Sequence, residues 1–474
     1  MSDEASVPDG AVVEGGGPGT TGSDDPVATG QQARTGRRRL PRASVLDTIR
    51  VSIRVLLPLL GRGVIVRRPP VVDIAERLDL DRRAVREMQR LNDRYGEGPL
   101  LLRLPGRRLA LVLDGEHVQR ILRASPDPFS AANLEKVHAL GAFQPQGVLI
   151  SEGEEREDRR RFNEAVLETP RPIHSHAETF LVAVREQADE LLRGAEATGR
   201  LTWEDFVPAW YRLVRTVTLG EAARDDHELT DLLGKLRAKA NWSYLRPTDQ
   251  RLRARFLGQL QSHVDRAEPG SLAALMAATP TTEHTVPHQQ VPQWLFAFEP
   301  AGMAAYRTLA LLDAHPDTAA AVREELASSS DPAELPLLRA SVLESLRLWP
   351  TTPGILRDGK ENTAWERGVL PAGTGLVIFA PYFHRDDRHL PEADRFAPEL
   401  WTRERSAADW PLVPFSDGPV VCPGRNLVLL LTTSMLAALL EEHEHHAVEG
   451  GLDRSRPLPS LLSPFNLTFR VERR

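Results

Sequence analysis

The one cysteine of the chain lies in the segment Phe415-Ser416-Asp417-Gly418-Pro419-Val420-Val421-Cys422-Pro423-Gly424-Arg425-Asn426. A lone cysteine is most often a small buried hydrophobe. The surroundings of this one point further. Phe415, Gly418 and Gly424 flank the sulfur at fixed offsets. Gly418 permits a tight turn, and Gly424 lets the backbone approach something flat. The apolar run 425–440 predicts a helix whose N-terminus sits beside the sulfur, where backbone N–H groups and the helix dipole favour a thiolate. Such a loop presents one sulfur anion to a metal from a protected pocket. A single cysteine rules out an internal disulfide, a cysteine-built zinc site and an all-cysteine iron–sulfur cluster.

Other charged residues recur at helical spacing. Glu344 and Arg347, in Glu344-Ser345-Leu346-Arg347, share a helix face at i, i+3. Arg156 and Arg160, at i, i+4 in the charged run 153–161, can clamp a carboxylate. Arg357 stands ten residues beyond Arg347. On charge pattern alone, each pair also reads as a solvated surface of little energetic worth.

With the cysteine loop, these residues resemble the cytochrome P-450 superfamily. Its haem-binding signature, Phe-x-x-Gly-x-x-x-Cys-x-Gly, is matched by Phe415, Gly418, Cys422 and Gly424. The resemblance covers roughly residues 45–474. It implies a mainly α fold with minor β: one large helical domain plus a small β-rich region. It also implies haem b (iron protoporphyrin IX), with Cys422 as axial iron ligand, Arg156, Arg160 and Arg357 facing the propionates, and Glu344 and Arg347 buried under the cysteine loop. The chain departs from the family pattern at two places. Val420 stands where an Arg or His usually meets a propionate. Leu400, in the segment 396–401, replaces the Arg that usually completes the Glu/Arg triad, so Arg395 or His384 is left to substitute.

The family carries a Gly-x-Asp/Glu-Thr motif on a central helix that ends in a His-Pro-like pair. His315-Pro316 supplies that end. Counting back places Glu299 at the acid position, Pro300 at the Thr position and Ala297 at the small residue that admits substrate. Glu299 would then relay protons. A second register takes Ala301-Gly302 as the small pair and leaves Ala304 and Ala305 as acid and alcohol. Pro300 also removes a backbone donor, freeing a carbonyl about one turn upstream.

The implied activity is that of a haem-thiolate monooxygenase. It would oxidise a small, largely apolar natural product with dioxygen, taking electrons from a separate ferredoxin or flavoprotein that docks beneath Cys422 near Arg156, Arg159 and Arg403. Pro300 motivates a second reading, a peroxygenase, desaturase or coupling catalyst. A third is a non-catalytic relative that binds a partner protein. The expected substrate lining comprises residues 129–146, Phe298, Thr352-Pro353 and residues 461–465.

The elements that must position this chemistry are mostly helical in pattern: 154–167, 180–192, 229–236, 251–267, 290–312, 318–326, 337–348 and 425–440. Apolar runs 100–104 and 109–113, joined at Pro105-Gly106, predict a β-hairpin. A strand is expected at 376–380, an irregular Pro-rich stretch at 381–421, and loop and strand at 457–471. Residues 1–44 are rich in Gly, Ser, Asp and Thr and read as a disordered tail ending in the basic cluster Arg37, Arg38, Arg39 and Arg42. The folded domain is expected over 45–474. Residues 51–66 pattern as an amphipathic helix packed on the body or lying on a membrane surface, ordinary packing being the favoured reading.

Composition sets the outer bounds. The 474 residues carry a net charge of −7, with 26% charged and 41% hydrophobic residues, enough chain for a large core and the wrong balance for a dedicated nucleic-acid binder. No apolar run approaches the roughly 18 residues that span a bilayer. No secretory signal pattern is present, so a cytoplasmic protein is expected. Lysine occurs only at 136, 235, 239 and 360, an arginine bias that fits a GC-rich bacterial genome.

Overall fold

The computed structural model describes residues 40–63, 65–96, 98–242, 247–329, 331, 335–406 and 409–474. The expected tail therefore falls mostly outside the described residues. Its last five positions do not: Leu40 and Ala43 are buried, and the Ala43 N–H donates to the Leu101 carbonyl at 2.9 Å. The ordered body thus begins by Leu40 rather than at 45.

Helices dominate, and two cores divide the interior. The larger is built where the central helix, Val291–Ala314, meets Trp203–Leu219, Pro336–Leu348 and Arg425–Leu440. The central helix has no polar face over its second half. From Ala301 to Leu312 every residue is buried, so it is wrapped on all sides rather than laid on a surface. Gly302 permits one of these contacts. A Cβ there would lie 2.9 Å from the Trp210 indole, whose Nε1 donates to the Phe298 carbonyl at 2.7 Å. The helix continues through Pro300.

The smaller core lies under a five-stranded sheet whose order across its width is Leu100–Leu101, Leu109–Leu111, Gly375–Phe379, Gly354–Gly359, Phe129–Ser130. The expected hairpin is present, with Leu100 opposite Leu111 and Leu101 opposite Ala110. The run Gly375–Phe379 is buried at every position because it sits mid-sheet, paired on both edges. A second sheet orders Arg200–Thr202, Thr468–Arg473 and His443–Glu449, and Thr363–Trp365 pairs with Gly368–Leu370. The mainly α, minor β architecture expected from the sequence is the one observed.

Alanine at position 302 would gain about 1 kcal/mol of helix propensity. Its methyl must displace a hydrogen-bonded indole, an overpacking that costs about 1–3 kcal/mol. Gly302→Ala is therefore expected to lower the urea midpoint, and a raised midpoint would show that Trp210 yields freely.

Candidate functional site

The cysteine loop is fixed from both sides of the sulfur. The Cys422 N–H donates to the Phe415 carbonyl at 3.0 Å, and the Val421 N–H to that of Gly418 at 2.9 Å. Gly418 is needed on two counts. Its φ is +67°, and a Cβ would lie 2.3 Å from the Leu122 carbonyl oxygen. Thr169 Oγ1 donates to the Pro423 carbonyl at 2.8 Å, and Arg160 Nη1 to the Val421 carbonyl at 2.8 Å. The helix Arg425–Leu440 starts next to the sulfur, as its apolar pattern requires.

Burial pushes the Cys422 thiol up. The Gly424 backbone N–H and the charges of Arg160 and Arg425 pull the other way without overcoming it. Burial of the sulfur thus opposes the thiolate that the helix N-terminus favours. A bound metal cation would supply the missing stabilisation. Cys422 keeps some accessible surface, as do Val421, Pro423 and Gly424 around it. The central helix shows the same sign. Gln293, Phe296, Ala297 and Pro300, at i, i+3, i+4 and i+7, keep accessible surface, whereas Leu295, Phe298, Ala301 and Gly302 are buried. Ala297 and Pro300 thus lie on the one face of this half of the helix that keeps accessible surface, and Phe143 meets Phe296 of that face edge-on at 6.2 Å between ring centres.

Beside the loop lies an unbalanced cluster of cations. Arg357, on strand Gly354–Gly359, is 3% exposed. It donates to Ser125 Oγ (3.0 Å), Ser416 Oγ (3.2 Å) and the Leu356 carbonyl (2.9 Å), none of them a carboxylate. Burial and the neighbouring Arg156 push it down to about 10. Arg156, on helix Gly153–Val166, is itself buried, and burial and Arg160 lower its pKa too. Lys136, on helix Leu134–Leu140, donates to the Ala131 and Leu356 carbonyls at 3.0 and 3.2 Å. Burial, with Arg357 nearby, pushes it down to about 7. The nearest acids, Glu135 and Asp358, already bind Arg107. Buried cations are ordinarily paired. This cluster fits a flat group carrying two carboxylates, which is the chemistry of a haem edge. Val420 is buried and adds no charge. Lys136 was invisible to sequence reasoning because only the fold brings it to Arg357.

Beneath the loop, the Glu344 and Arg347 side chains are fully buried and bonded at 2.5 and 2.7 Å. Arg347 also donates to the carbonyls of His384, Glu392, Ala393 and Arg395. Glu344 accepts from the Ala397 N–H at 2.9 Å and from Trp401 Nε1 at 2.8 Å. Neither Arg395 nor His384 completes this network with its side chain, and the indole of Trp401 takes the place left by Leu400. His384 instead connects the pair to the cysteine loop. Its Nδ1 lies 3.2 Å from the Arg347 carbonyl, and its Nε2 accepts the Val413 N–H at 2.9 Å.

Glu299 points away from the cysteine. It pairs with Arg237 and lies 3.4 Å from Tyr211 Oη, and the Arg237 guanidinium stacks on Phe296 at 4.5 Å. Arg67, which donates to the Thr351 carbonyl at 2.5 Å, is electrostatically coupled to the same acid. Sequence spacing alone could not show these three partners. The second register is excluded: Gly302 packs on Trp210, and Ala304 and Ala305 are buried in the core. Of the expected lining, Phe143 and Gln144 reach the central helix, with Gln144 donating to Gln293 at 2.6 Å. Leu461 instead packs on Val72 and Ala75.

A groove of about 480 Å³ lies on the far side of the loop, lined by Arg123, Trp401, Arg403, Arg405, Trp410, Phe415, Val421 and Arg425 among others. Arg403 lines it as expected. Arg156 and Arg159 are buried and do not present a surface, Arg159 being held by Ser151, Glu155 and the His284 carbonyl.

Comparison with known proteins agrees with this arrangement. Residues 297–466 match the cytochrome P-450 family model. The chain is 28% identical over 183 residues to probable cytochrome P-450 12d1 proximal, mitochondrial, of Drosophila melanogaster, covering 34% of this chain and 34% of the relative. It is 32% identical over 144 residues to cytochrome P-450 81D1 of Arabidopsis thaliana, covering 28% of each. The matched part is thus about a third of the length of these relatives. Among solved structures, a retinoic acid-bound cyanobacterial CYP120A1 superposes with a TM-score of 0.67 at 19% identity, over 81% of this chain and 94% of that one. A CYP102L1 crystal structure gives 0.68 at 18% identity, over 92% and 98%. The chain has the cytochrome P-450 fold, and its residues 297–466 match the model of that family.

Two measurements test the support beneath the loop. Trp401→Phe leaves one oxygen of a buried carboxylate short of a donor and is expected to cost about 1–3 kcal/mol, read from urea unfolding. His384 is pushed down to about 3 by burial and by Arg347. An unfolded histidine titrates near 6.5, so between these values the unfolded chain binds a proton that the folded chain does not. Stability is therefore lost as pH falls below about 6.5. His384→Gln should unfold more easily at pH 7 and show a shallower loss between pH 6.5 and 4.5. An unchanged slope would mean that His384 is not a source of it.

Proposed function

We propose that the chain is a haem-thiolate monooxygenase that inserts oxygen into a small, largely apolar natural product. The observation that carries this reading is the buried cation cluster of Arg156, Arg357 and Lys136 beside a cysteine loop fixed by hydrogen bonds on both sides of the sulfur. In this reading Cys422 would bind the iron of haem b. Arg156, Arg357 and Lys136 would hold its propionates, Arg160 fixes the loop through the Val421 carbonyl, and Phe415 and Gly424 would pack against the ring. Haem bound through a thiolate supplies oxygen activation and electron transfer.

The protein's own residues have separate tasks. Phe143, Phe296 and Ala297 give the substrate an apolar wall, and Gln144 and Gln293 give it a polar end. Glu299 holds a proton path in register through Arg237 and Tyr211. Pro300 leaves the Phe296 carbonyl without its helical donor, a ready acceptor for water or a substrate hydroxyl. Electrons come from a separate ferredoxin or flavoprotein seated in the groove lined by Arg123, Arg403 and Arg425. No helix among the described residues is long and apolar enough to cross a membrane, and we assign the protein to the cytoplasm of a bacterial cell.

Pro300 supports a second reading, in which the enzyme uses peroxide directly as a peroxygenase or acts as a desaturase or coupling catalyst. The Thr position of the family lies on the accessible face of the central helix and carries no hydroxyl. Turnover with hydrogen peroxide and no reductase supports this reading, and strict dependence on an electron donor removes it.

Reduced protein with carbon monoxide should show the Soret band of thiolate-ligated haem, and Cys422→Ala should lose it. A band of the histidine-ligated type in the parent protein would overturn the assignment. Arg357→Gln should release haem several-fold faster to an apo-globin acceptor without moving that band. Pro300→Thr should lower the peroxide released per electron consumed. An unchanged ratio would show that position 300 does not act on oxygen.

A further inference from the structure

The N-terminal helical run ends at Gly61 rather than 66, and a short turn joins it to the helix Pro69–Arg77. The turn is built to hold one side chain. Gly63 has φ +93°, and a Cβ there would lie 1.9 Å from the Val66 carbonyl oxygen, so only glycine fits. The Arg68 N–H donates to the Arg62 carbonyl at 2.9 Å and closes the turn. Asn241, at the end of the helix His227–Ala240, clamps its tip. Asn241 Oδ1 accepts from the Ile65 N–H at 2.9 Å, and Nδ2 donates to the Val66 carbonyl at 3.1 Å. Arg237, on the same helix, donates to the Ile65 carbonyl at 3.1 Å. What the turn holds is Arg67. Its guanidinium donates to the carbonyls of Gly63 and Thr351, both at 2.5 Å, which engages two of its five N–H groups.

The charges around Arg67 do not balance. It feels Arg62, Arg237, Asp81 and Glu299, and also Arg307, which in turn feels Glu76. Arg62 bonds Asp81 at 2.7 Å, and Arg237 bonds Glu299. Arg307 is 5% exposed and donates to the Leu462 and Trp349 carbonyls at 2.8 and 3.2 Å. The acid left for it is Glu76, which burial pushes up to about 7, while Asp73 and Arg77 beside Glu76 carry opposite charges. Four arginines thus face three acids, one of them only partly ionised at neutral pH. Arg67 is the arginine without an acid of its own. Burial and Arg62 push it down to about 10, so protein surrounds it, yet the residue keeps accessible surface. A cation so surrounded ordinarily has a partner.

Position identifies that partner. Thr351, whose carbonyl Arg67 holds, opens the segment that leads through Thr352-Pro353 into the strand Gly354–Gly359, which carries Arg357. On its other side Arg67 feels the Arg237–Glu299 pair, and that Arg237 guanidinium stacks on Phe296 of the accessible face of the central helix. A planar guanidinium takes a carboxylate through two parallel hydrogen bonds. We propose that the substrate is an ionised carboxylic acid on an apolar body and that Arg67 binds its carboxylate. The proposal rests on the haem-thiolate reading above and narrows its substrate class: the apolar body takes the wall of Phe143, Phe296 and Ala297, and the carboxylate supplies the missing negative charge.

The test is calorimetric titration of the full-length, haem-loaded protein with dodecanoate and 2-naphthoate and with their methyl esters, beside the carbon monoxide spectrum of the same sample. At least one acid should bind at least tenfold more tightly than its ester. Arg67→Gln should abolish that preference and leave ester binding and the haem spectrum unchanged. Arg67→Lys keeps the charge and loses the planar fork. It should weaken the acid at least threefold and the ester not at all, which reads out the same contact if the glutamine variant does not fold. The proposal is overturned if neither acid binds with a Kd below about 1 mM, if the acids bind no better than the esters, if the preference survives Arg67→Gln, or if Arg67→Lys leaves acid affinity unchanged. Any of these results with a thiolate-type Soret band removes the substrate class and leaves the haem reading standing. An acid preference that depends on Arg67, in a protein without that band, supports the carboxylate site and removes the haem reading.

Discussion

The structure depends on a buried ion pair that is satisfied at every atom that matters. Removing Glu344 and Arg347 from water is costly, and the attraction between them does not by itself offset that cost. What makes the arrangement tolerable is its hydrogen bonding: four backbone carbonyls on the guanidinium, and an amide and an indole on the carboxylate. Those partners come from the irregular stretch between His384 and Trp401. The pair therefore gives shape to a region with little regular secondary structure of its own. Through His384 and Val413 that shape reaches the cysteine loop. The sulfur is held in place by a network whose centre is fully buried beneath it.

The central helix works the other way. Its second half is buried all round, and its first half keeps accessible surface at four residues of one face, Gln293, Phe296, Ala297 and Pro300. Gly302 and Trp210 fix where one regime gives way to the other. The acid of the family motif is present, but its carboxylate is spoken for by Arg237 on the helix His227–Ala240, with Tyr211 alongside. The position of Glu299 is thus tied to packing between the central helix and the helices His227–Ala240 and Trp203–Leu219.

Much of this was legible in the sequence where a local rule determines the outcome. The cysteine loop follows from its glycines and the apolar helix after it, and Arg425–Leu440 has the bounds its pattern requires. The long helices and the hairpin at Pro105-Gly106 follow from periodicity and turn chemistry. Other parts escaped. Leu80–Tyr95 and Trp203–Leu219 are both amphipathic, but the first is crowded with arginines and the second carries Pro208, which masks them; Trp203–Leu219 is opened by a Thr202/Asp205 capping box. Lys136, Trp401, Arg237 and Tyr211 join the site from elements remote in sequence, and no spacing rule connects them. Nor does spacing measure how far burial opposes the thiolate favoured by the helix N-terminus.

The cation cluster has a meaning for the life of the protein in the cell. Arg357 is repelled by both Arg156 and Lys136, and the acids Glu135, Asp358, Glu157 and Glu164 offset the charge of the cluster only in part. A chain that has just left the ribosome must close around that repulsion, and a dianionic ring relieves it. In the proposed reading the ring would be a structural component of the mature fold as well as its reactive centre, stabilising the folded form by mass action. Abundance of this protein should follow the supply of porphyrin and iron, because copies that never meet the ring remain the loosest and the first to be degraded.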